Sequence, residues 1–194
     1  MGLPDAPVSR AKAYTASCNP QGVSRRFNGS IRPVQPDDAE ALRPILQHWL
    51  GPEAEQTLTR VLAASGEVHV AAVEKSQVVG VMGLEFEGIR PPLFGPSDQP
   101  GSLISAYVAD QHRGRGIGSA LADHLEAVAE ARGCTRLVVV SGARSRDVAY
   151  RFWASRYGRI AYYDANAFGP GAECVAWSVV LPRNRRERHR LPPP

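Results

Sequence analysis

Three glycines at 114, 116 and 118 alternate with arginines at 113 and 115 in the middle of this chain. Residues 103–110 before them read as a strand. The run behind them, to residue 132, reads as a helix with Ile117, Leu121, Leu125 and Val128 at helical spacing. A strand, a glycine-rich turn and a helix N-terminus make an anion site, because the first backbone N–H groups of a helix are unpaired and carry partial positive charge. Glycine lets backbone approach a phosphate closely, and the arginines add formal charge. Two further groups could move protons. Glu85 and Glu87 close a predicted strand on one face, and Tyr150 lies three residues before Trp153, on the same side of a predicted helix.

The phosphate motif is neither of the two commonest kinds. A Walker A loop needs a lysine and then Ser or Thr after its last glycine, and no lysine follows here. A dinucleotide fingerprint has Gly-x-Gly-x-x-Gly after the first strand of its unit, whereas this turn is Gly-x-Gly-x-Gly in mid-chain. What fits is Gln-x-x-Gly-x-Gly from Gln111 to Gly116, preceded by Tyr107-Val108 and followed by Ile117-Gly118, Leu121 and Leu125. Here the sequence resembles the GNAT superfamily of acyl-CoA-dependent N-acyltransferases, over about residues 31–181.

The resemblance implies an α/β (α+β) fold, a central mixed, mostly antiparallel sheet flanked by helices. It implies acetyl-CoA as acyl donor, with no metal, and a primary amine as acceptor. Main-chain groups of Ala106, Tyr107 and Val108 would meet the pantetheine arm where the central strand splays from its neighbour after Tyr107. Arg113, Gly114, Arg115, Gly116, Ile117, Gly118 and Ser119 would hold the pyrophosphate. The superfamily's last motif, Asn-x-x-Ala-x-x-Phe-Tyr, is matched here at Ala149 and Phe152, with Arg146 for the asparagine and Trp153 for the tyrosine that often protonates the CoA thiolate. Both then belong to the CoA side of the site. Indole N–H is no useful proton source, so Tyr150 is the candidate acid; the alternatives are a packing role for it and an unassisted thiolate. The usual strand glutamate is Ser102, which leaves Glu85 or Glu87 as candidate base, working through water. His48 and His112 are weaker candidates.

Acyl transfer from a thioester to an amine needs placement, a neutral amine, oxyanion stabilisation and a protonated leaving group, and no covalent nucleophile. Cys18, Cys134 and Cys174 are odd in number and widely spaced, which excludes a disulfide framework and a Cys-x-x-Cys metal site; Cys134 and Cys174 fall in predicted strands and read as buried, inert thiols.

The elements that must position these groups follow in order. A leader, 1–29, shows no sustained period. A strand at 31–34 precedes a helix from Pro36 to about Trp49, with Leu42, Ile45, Leu46 and Trp49 on one face. A second helix covers 53–64. Strands at 67–73 and 78–86 form a hairpin. A Pro- and Gly-rich loop, 87–100, lies where an acceptor groove is shaped in the superfamily. After the central strand and its helix come a buried strand at 136–141, a helix at 146–156 capped by Ser145, and closing strands at 159–163 and 173–181. This gives an extension at 1–29, one acyltransferase domain at 30–182 and a basic, Pro-rich tail at 183–194.

The net charge of +4 resides at the ends. Arg10, Lys12, Arg25 and Arg26 face only Asp5 near the start, and five arginines face only Glu187 in the tail, so the region between is mildly acidic. Nucleic-acid binding through the tail is the least favoured reading, and its mark would be steep salt dependence. The start lacks the apolar core of a signal peptide, and no apolar run reaches the roughly 18 residues of a membrane span. The expectation is a cytoplasmic enzyme with no membrane partner, acetylating a small-molecule amine, with homodimers common in the superfamily. Two alternatives stand beside it: acetylation of a protein lysine or N-terminus, and a regulatory module that holds acyl-CoA without turnover.

Overall fold

A computed structural model describes residues 27–63, 66–86, 98–142, 145–167 and 169–182. Its seven strands are β1 (Ser30–Pro33), β2 (Glu67–Glu74), β3 (Gln77–Glu85), β4 (Pro100–Val108), β5 (Arg136–Gly142), β6 (Tyr162–Asp164) and β7 (Cys174–Val180). They form one sheet in the order β1-β2-β3-β4-β5-β7-β6. The β4–β5 pair is parallel and the others are antiparallel, so the sheet is mixed and mostly antiparallel, as expected. Helices α1 (Ala39–Leu50), α2 (Ala54–Leu62), α3 (Ile117–Ala131) and α4 (Arg146–Tyr157) flank it.

Strand alternation divides the core between two faces. Val70, Met82, Leu84, Leu103 and Val139 lie with Leu121 and Leu125 of α3 and Trp153 of α4. Ala71 and Val81 lie with Leu42 and Leu46 of α1 and Leu58 of α2. Each fully buried Leu, Ile or Val side chain contributes roughly 1.5–3 kcal/mol, so the two clusters account for the persistence of both layers. The apolar face read for the first helix holds: Leu42 and Leu46 are fully buried. Its start differs, because Pro36–Asp38 is a separate turn of 3-10 helix. That turn is closed by Asp38, which accepts from the Gln35 backbone and from Arg32 at 2.7 Å.

Three local expectations are corrected. The central strand runs from Pro100 to Val108 rather than 103–110, so it starts on the last residue of the stretch read as loop and ends two residues early. Ser145 precedes α4 but makes no side-chain cap; its hydroxyl donates to Gly142 O and pairs with Ser141 Oγ at 2.7 Å. The strand expected at 159–163 is three residues long and starts at Tyr162. The expected extension, apart from residues 27–29, the tail at 183–194 and Glu87 with most of its loop lie outside the described residues. Phe27 already packs against the core.

Candidate active site

The site begins with a break in the sheet. β4 pairs with β5 only from Pro100↔Arg136 to Leu103↔Val139, although both strands run on, β4 to Val108 and β5 to Gly142. The strands therefore part after Leu103, four residues before the expected point at Tyr107. The physical cause lies on the other edge of β4. Its register with β3 shifts between Gly83↔Ile104 and Val81↔Tyr107, and Ser105 takes φ 50°. An extra residue in one strand bends it away from its neighbour.

The gap is a cleft of about 430 Å³. Ile104 to Val108 form one wall, Val139 to Gly142 with Val148, Ala149 and Phe152 of α4 form the other, and Trp49 of α1 closes an end. Ala106, Tyr107 and Val108 lie in the cleft wall.

At the far end the chain turns into α3. Gly114 has φ 70° and Gly116, the N-cap of α3, has φ 81°, left-handed conformations that side chains beyond glycine adopt at a cost. Because the N-cap is glycine, no side chain covers the first N–H groups of α3. The first turn holds no acidic residue either. Partial positive charge is left facing out, which suits an anion. Gly114, Ile117 and Gly118 line the cleft itself.

The two arginines part company. Arg113 lines the cleft; its Nε donates to Val108 O at 3.3 Å, it pairs with Asp110, and its guanidinium lies 4.2 Å from the Trp49 ring centroid. Arg115 turns outward to Glu74 Oε1 at 2.5 Å and to His112 Nδ1 at 3.0 Å. It ties the glycine turn to the β2–β3 hairpin and lies outside the cleft lining, as does Ser119.

The α4 candidates separate as well. Trp153 is buried at the cleft and stacks on Tyr157. Tyr150 faces the core instead. Its ring meets Trp177 edge-on, and its hydroxyl donates to Glu173 at 2.9 Å. Burial, and then the Glu173 carboxylate, push that hydroxyl above the usual tyrosine range. Tyr150 does not line the cleft. Arg146 joins the same group, with Nη2 2.7 Å from Glu173. Burial would push Glu173 up, but hydrogen bonds from Arg146 and Tyr150 prevail and hold it below its ordinary value. Arg146, Tyr150 and Glu173 make a structural knot behind the cleft wall. Cys134 and Cys174 are buried, and burial pushes both thiols up.

Glu85 is placed on a polar patch that sequence reading missed. It pairs across β3–β2 with Glu67 and across β3–β4 with Ser102. Two rungs nearer the cleft, His69 stands opposite Gly83, which stands opposite Ile104. A Cβ on Gly83 would come within 2.5 Å of the His69 ring, so glycine makes room for the imidazole. The His69 side chain is 2% exposed and lies with Nε2 3.4 Å from Glu67 Oε2. Among the described residues, neither ring nitrogen has a hydrogen-bond partner, nor has Glu67 Oε2. Arg60 of α2 bridges this patch to the cleft, 4.0 Å from Glu67 and 3.1 Å from Ser105 Oγ. Unsatisfied buried polar atoms cost roughly 1–3 kcal/mol each. The signal in the sequence was the alternation Glu67, His69, Ala71, Val73, which sets an acid and a histidine on an otherwise buried strand face.

The comparisons accord with this geometry. The model of the Acetyltransferase (GNAT) family matches residues 32–158. An aminoglycoside 6'-N-acetyltransferase complexed with coenzyme A is similar over 80% of this chain and 99% of its own, with 16% identity and a TM-score of 0.59. Arabidopsis thaliana NAA60 in complex with a bisubstrate analogue is similar over 78% and 97%, with 19% identity and a TM-score of 0.62. The ribosomal-protein-S18-alanine N-acetyltransferase from Escherichia coli is similar over 80% and 96%, with 15% identity and a TM-score of 0.61. No curated protein matches the chain by sequence. At these identities the structural likeness speaks for the fold, while the family model spans more than half of the chain. That match over residues 32–158 shows that the chain belongs to the GNAT family of acetyltransferases.

Proposed function

We propose that this enzyme transfers the acetyl group of acetyl-CoA to a primary amine of a small molecule, by direct attack when both substrates are bound. The observation that carries the reading is the cleft opened by the parting of β4 and β5, which ends on the acid-free N-terminus of α3. Backbone N–H groups of Gly114 to Gly118 would take the pyrophosphate. The edge of β4 from Ile104 to Val108, left unpaired by β5, would align the pantetheine arm and the thioester. Fixing the two reactants side by side supplies much of the rate.

A structural neighbour named as a ribosomal-protein-S18-alanine N-acetyltransferase keeps a second, protein acceptor class in view. A module that binds acyl-CoA without turnover is the third reading. One series of measurements separates them. Acetyl-CoA is titrated by calorimetry into wild type and Gly116→Val. Thiol release is then followed with 1,4-diaminobutane, kanamycin and a peptide with N-terminal alanine. Micromolar binding, weakened at least tenfold by the valine, with fastest turnover on one of the small amines, is the expected result. Fastest turnover on the peptide would favour the second class. Binding without turnover on any amine would favour the third.

A further inference from the structure

Resting on the acetyl-transfer reading, we propose that Glu67 is the proton acceptor for the amine, with His69 as its positioning residue, in a polar recess entered from the cleft beside Ser105. No sequence motif points to these residues, and four structural observations do.

The first is place. The β4 kink that opens the cleft is at Ser105, and Ser105 Oγ also accepts from Arg60, which stands 4.0 Å from Glu67. The rung His69–Gly83–Ile104 ends on a cleft residue. The second is unmet bonding. Glu67 Oε2 and both nitrogens of His69 are enclosed without hydrogen-bond partners among the described residues, although buried polar groups nearly always have them. An amine N–H at this point would supply one.

The third is the juxtaposition of charge. Glu67 and Glu85 are cross-strand partners, and like charges directly opposite each other oppose folding. Burial, and in smaller part the Glu85 charge, raise the Glu67 carboxyl, while Arg60 pulls it down. A carboxylate raised in this way is a better base near neutral pH. The fourth is the contrast within the pair. Glu67 keeps 13% exposure at its side chain, although Oε2 is enclosed, while His69 keeps 2%. Burial pushes His69 down to about 4, so the ring is uncharged at neutral pH. It can offer an N–H to Glu67 and does not compete for the proton.

The step balances as follows. The acceptor arrives as an ammonium and gives one proton to a Glu67 carboxylate oxygen. The freed lone pair forms the C–N bond at the thioester carbonyl carbon. The C–S bond breaks with its electron pair on sulfur, and the nitrogen's surplus proton neutralises the thiolate. Glu67 returns its proton to solvent.

The described groups that face Glu67 are Arg60 from α2, His69 from its own strand and Glu85 from β3; the facing positions of β4, Ser102 and Ser105, do not titrate. The test is the pH profile of kcat/KM with the fastest amine of the panel above. Glu67→Gln should lower kcat/KM about a hundredfold and abolish the acid limb, while acetyl-CoA binding by calorimetry is unchanged. Glu85→Gln removes a like charge and should move the acid limb to lower pH. Arg60→Gln removes an opposite charge and should move it to higher pH. His69→Phe should move it to higher pH too, and His69→Gln, which keeps an N–H, should restore it. An acid limb unmoved by Glu85→Gln and Arg60→Gln, or a Glu67→Gln enzyme within threefold of wild type, overturns the proposal and leaves acetyl transfer standing. Failure of wild type to acetylate any amine removes both.

Discussion

His69 is the residue with the sharpest consequence for stability. Its folded pKa of about 4 lies below the ordinary value of 6.5, so between these values the unfolded chain binds a proton that the folded chain refuses. Stability is therefore whole above pH 6.5 and declines as pH falls towards 4, by about 3 kcal/mol in all. Urea denaturation across this range should show the decline in wild type and its loss in His69→Gln. Gly83→Ala tests the same packing from the opposite strand. Its Cβ would meet both the His69 ring and Ile104, the latter at 2.9 Å, and the overpacking should cost about 1–3 kcal/mol in the same assay. On α4, Arg156 reaches the fully buried Glu126 at 2.6 Å. Arg156→Met removes that cation from an enclosed carboxylate and should cost roughly 3–5 kcal/mol, seen as a lower thermal midpoint.

At the scale of elements, most of the sheet was legible in the sequence. β2, β3 and β5 are runs of valine and alanine bounded by turns, and two of those turns contain left-handed Lys75, Ser76 and Gly133. The glycine turn was legible because its chemistry is local, residue next to residue. The parting of β4 from β5 at Leu103 was misplaced because a bulge depends on which rungs close across two strands, and Ser105 carries no mark of φ 50°. The polar recess was missed for a similar reason. Glu67, His69, Glu85 and Arg60 are scattered over 26 positions of the chain, and only the register of β2 on β3 sets them together. Tyr150 was legible as a tyrosine on the right helix and not as one facing Trp177. One element-scale outcome follows from the Arg115–Glu74 tie. Glu74→Gln loosens the anchor of the glycine turn and of His112 in the cleft lining, so acetyl-CoA affinity should fall a few fold, against at least tenfold for Gly116→Val, by the same calorimetry.

Over the whole molecule, the two faces of the sheet divide the labour. The face under α3 and α4 carries the donor cleft, and the face under α1 and α2 carries the recess with Glu67. Proton transfer to Glu67 would require the amine to reach across the kinked end of β4 at Ser105. Hydrogen exchange should register the donor on one side only. Acetyl-CoA should slow the amides of residues 104–108 and 114–119 and leave those of β1 unchanged.

The four-rung ladder between β4 and β5 has a mechanical meaning. Among the described residues, β1–β4 and β5–β7 share strand pairing along that short seam, which the Thr135 N–H to Gln99 O bond extends by one step. A donor lying in the gap would touch both lips and act as a rivet across the seam. Saturation at a hundred times the dissociation constant would add about 2.7 kcal/mol to the folded form, and it would add it across the gap between β4 and β5. Melting of the free enzyme and of the donor complex should each be a single transition, with the complex melting higher, since one core cluster and the Arg156–Glu126 pair already join the two parts.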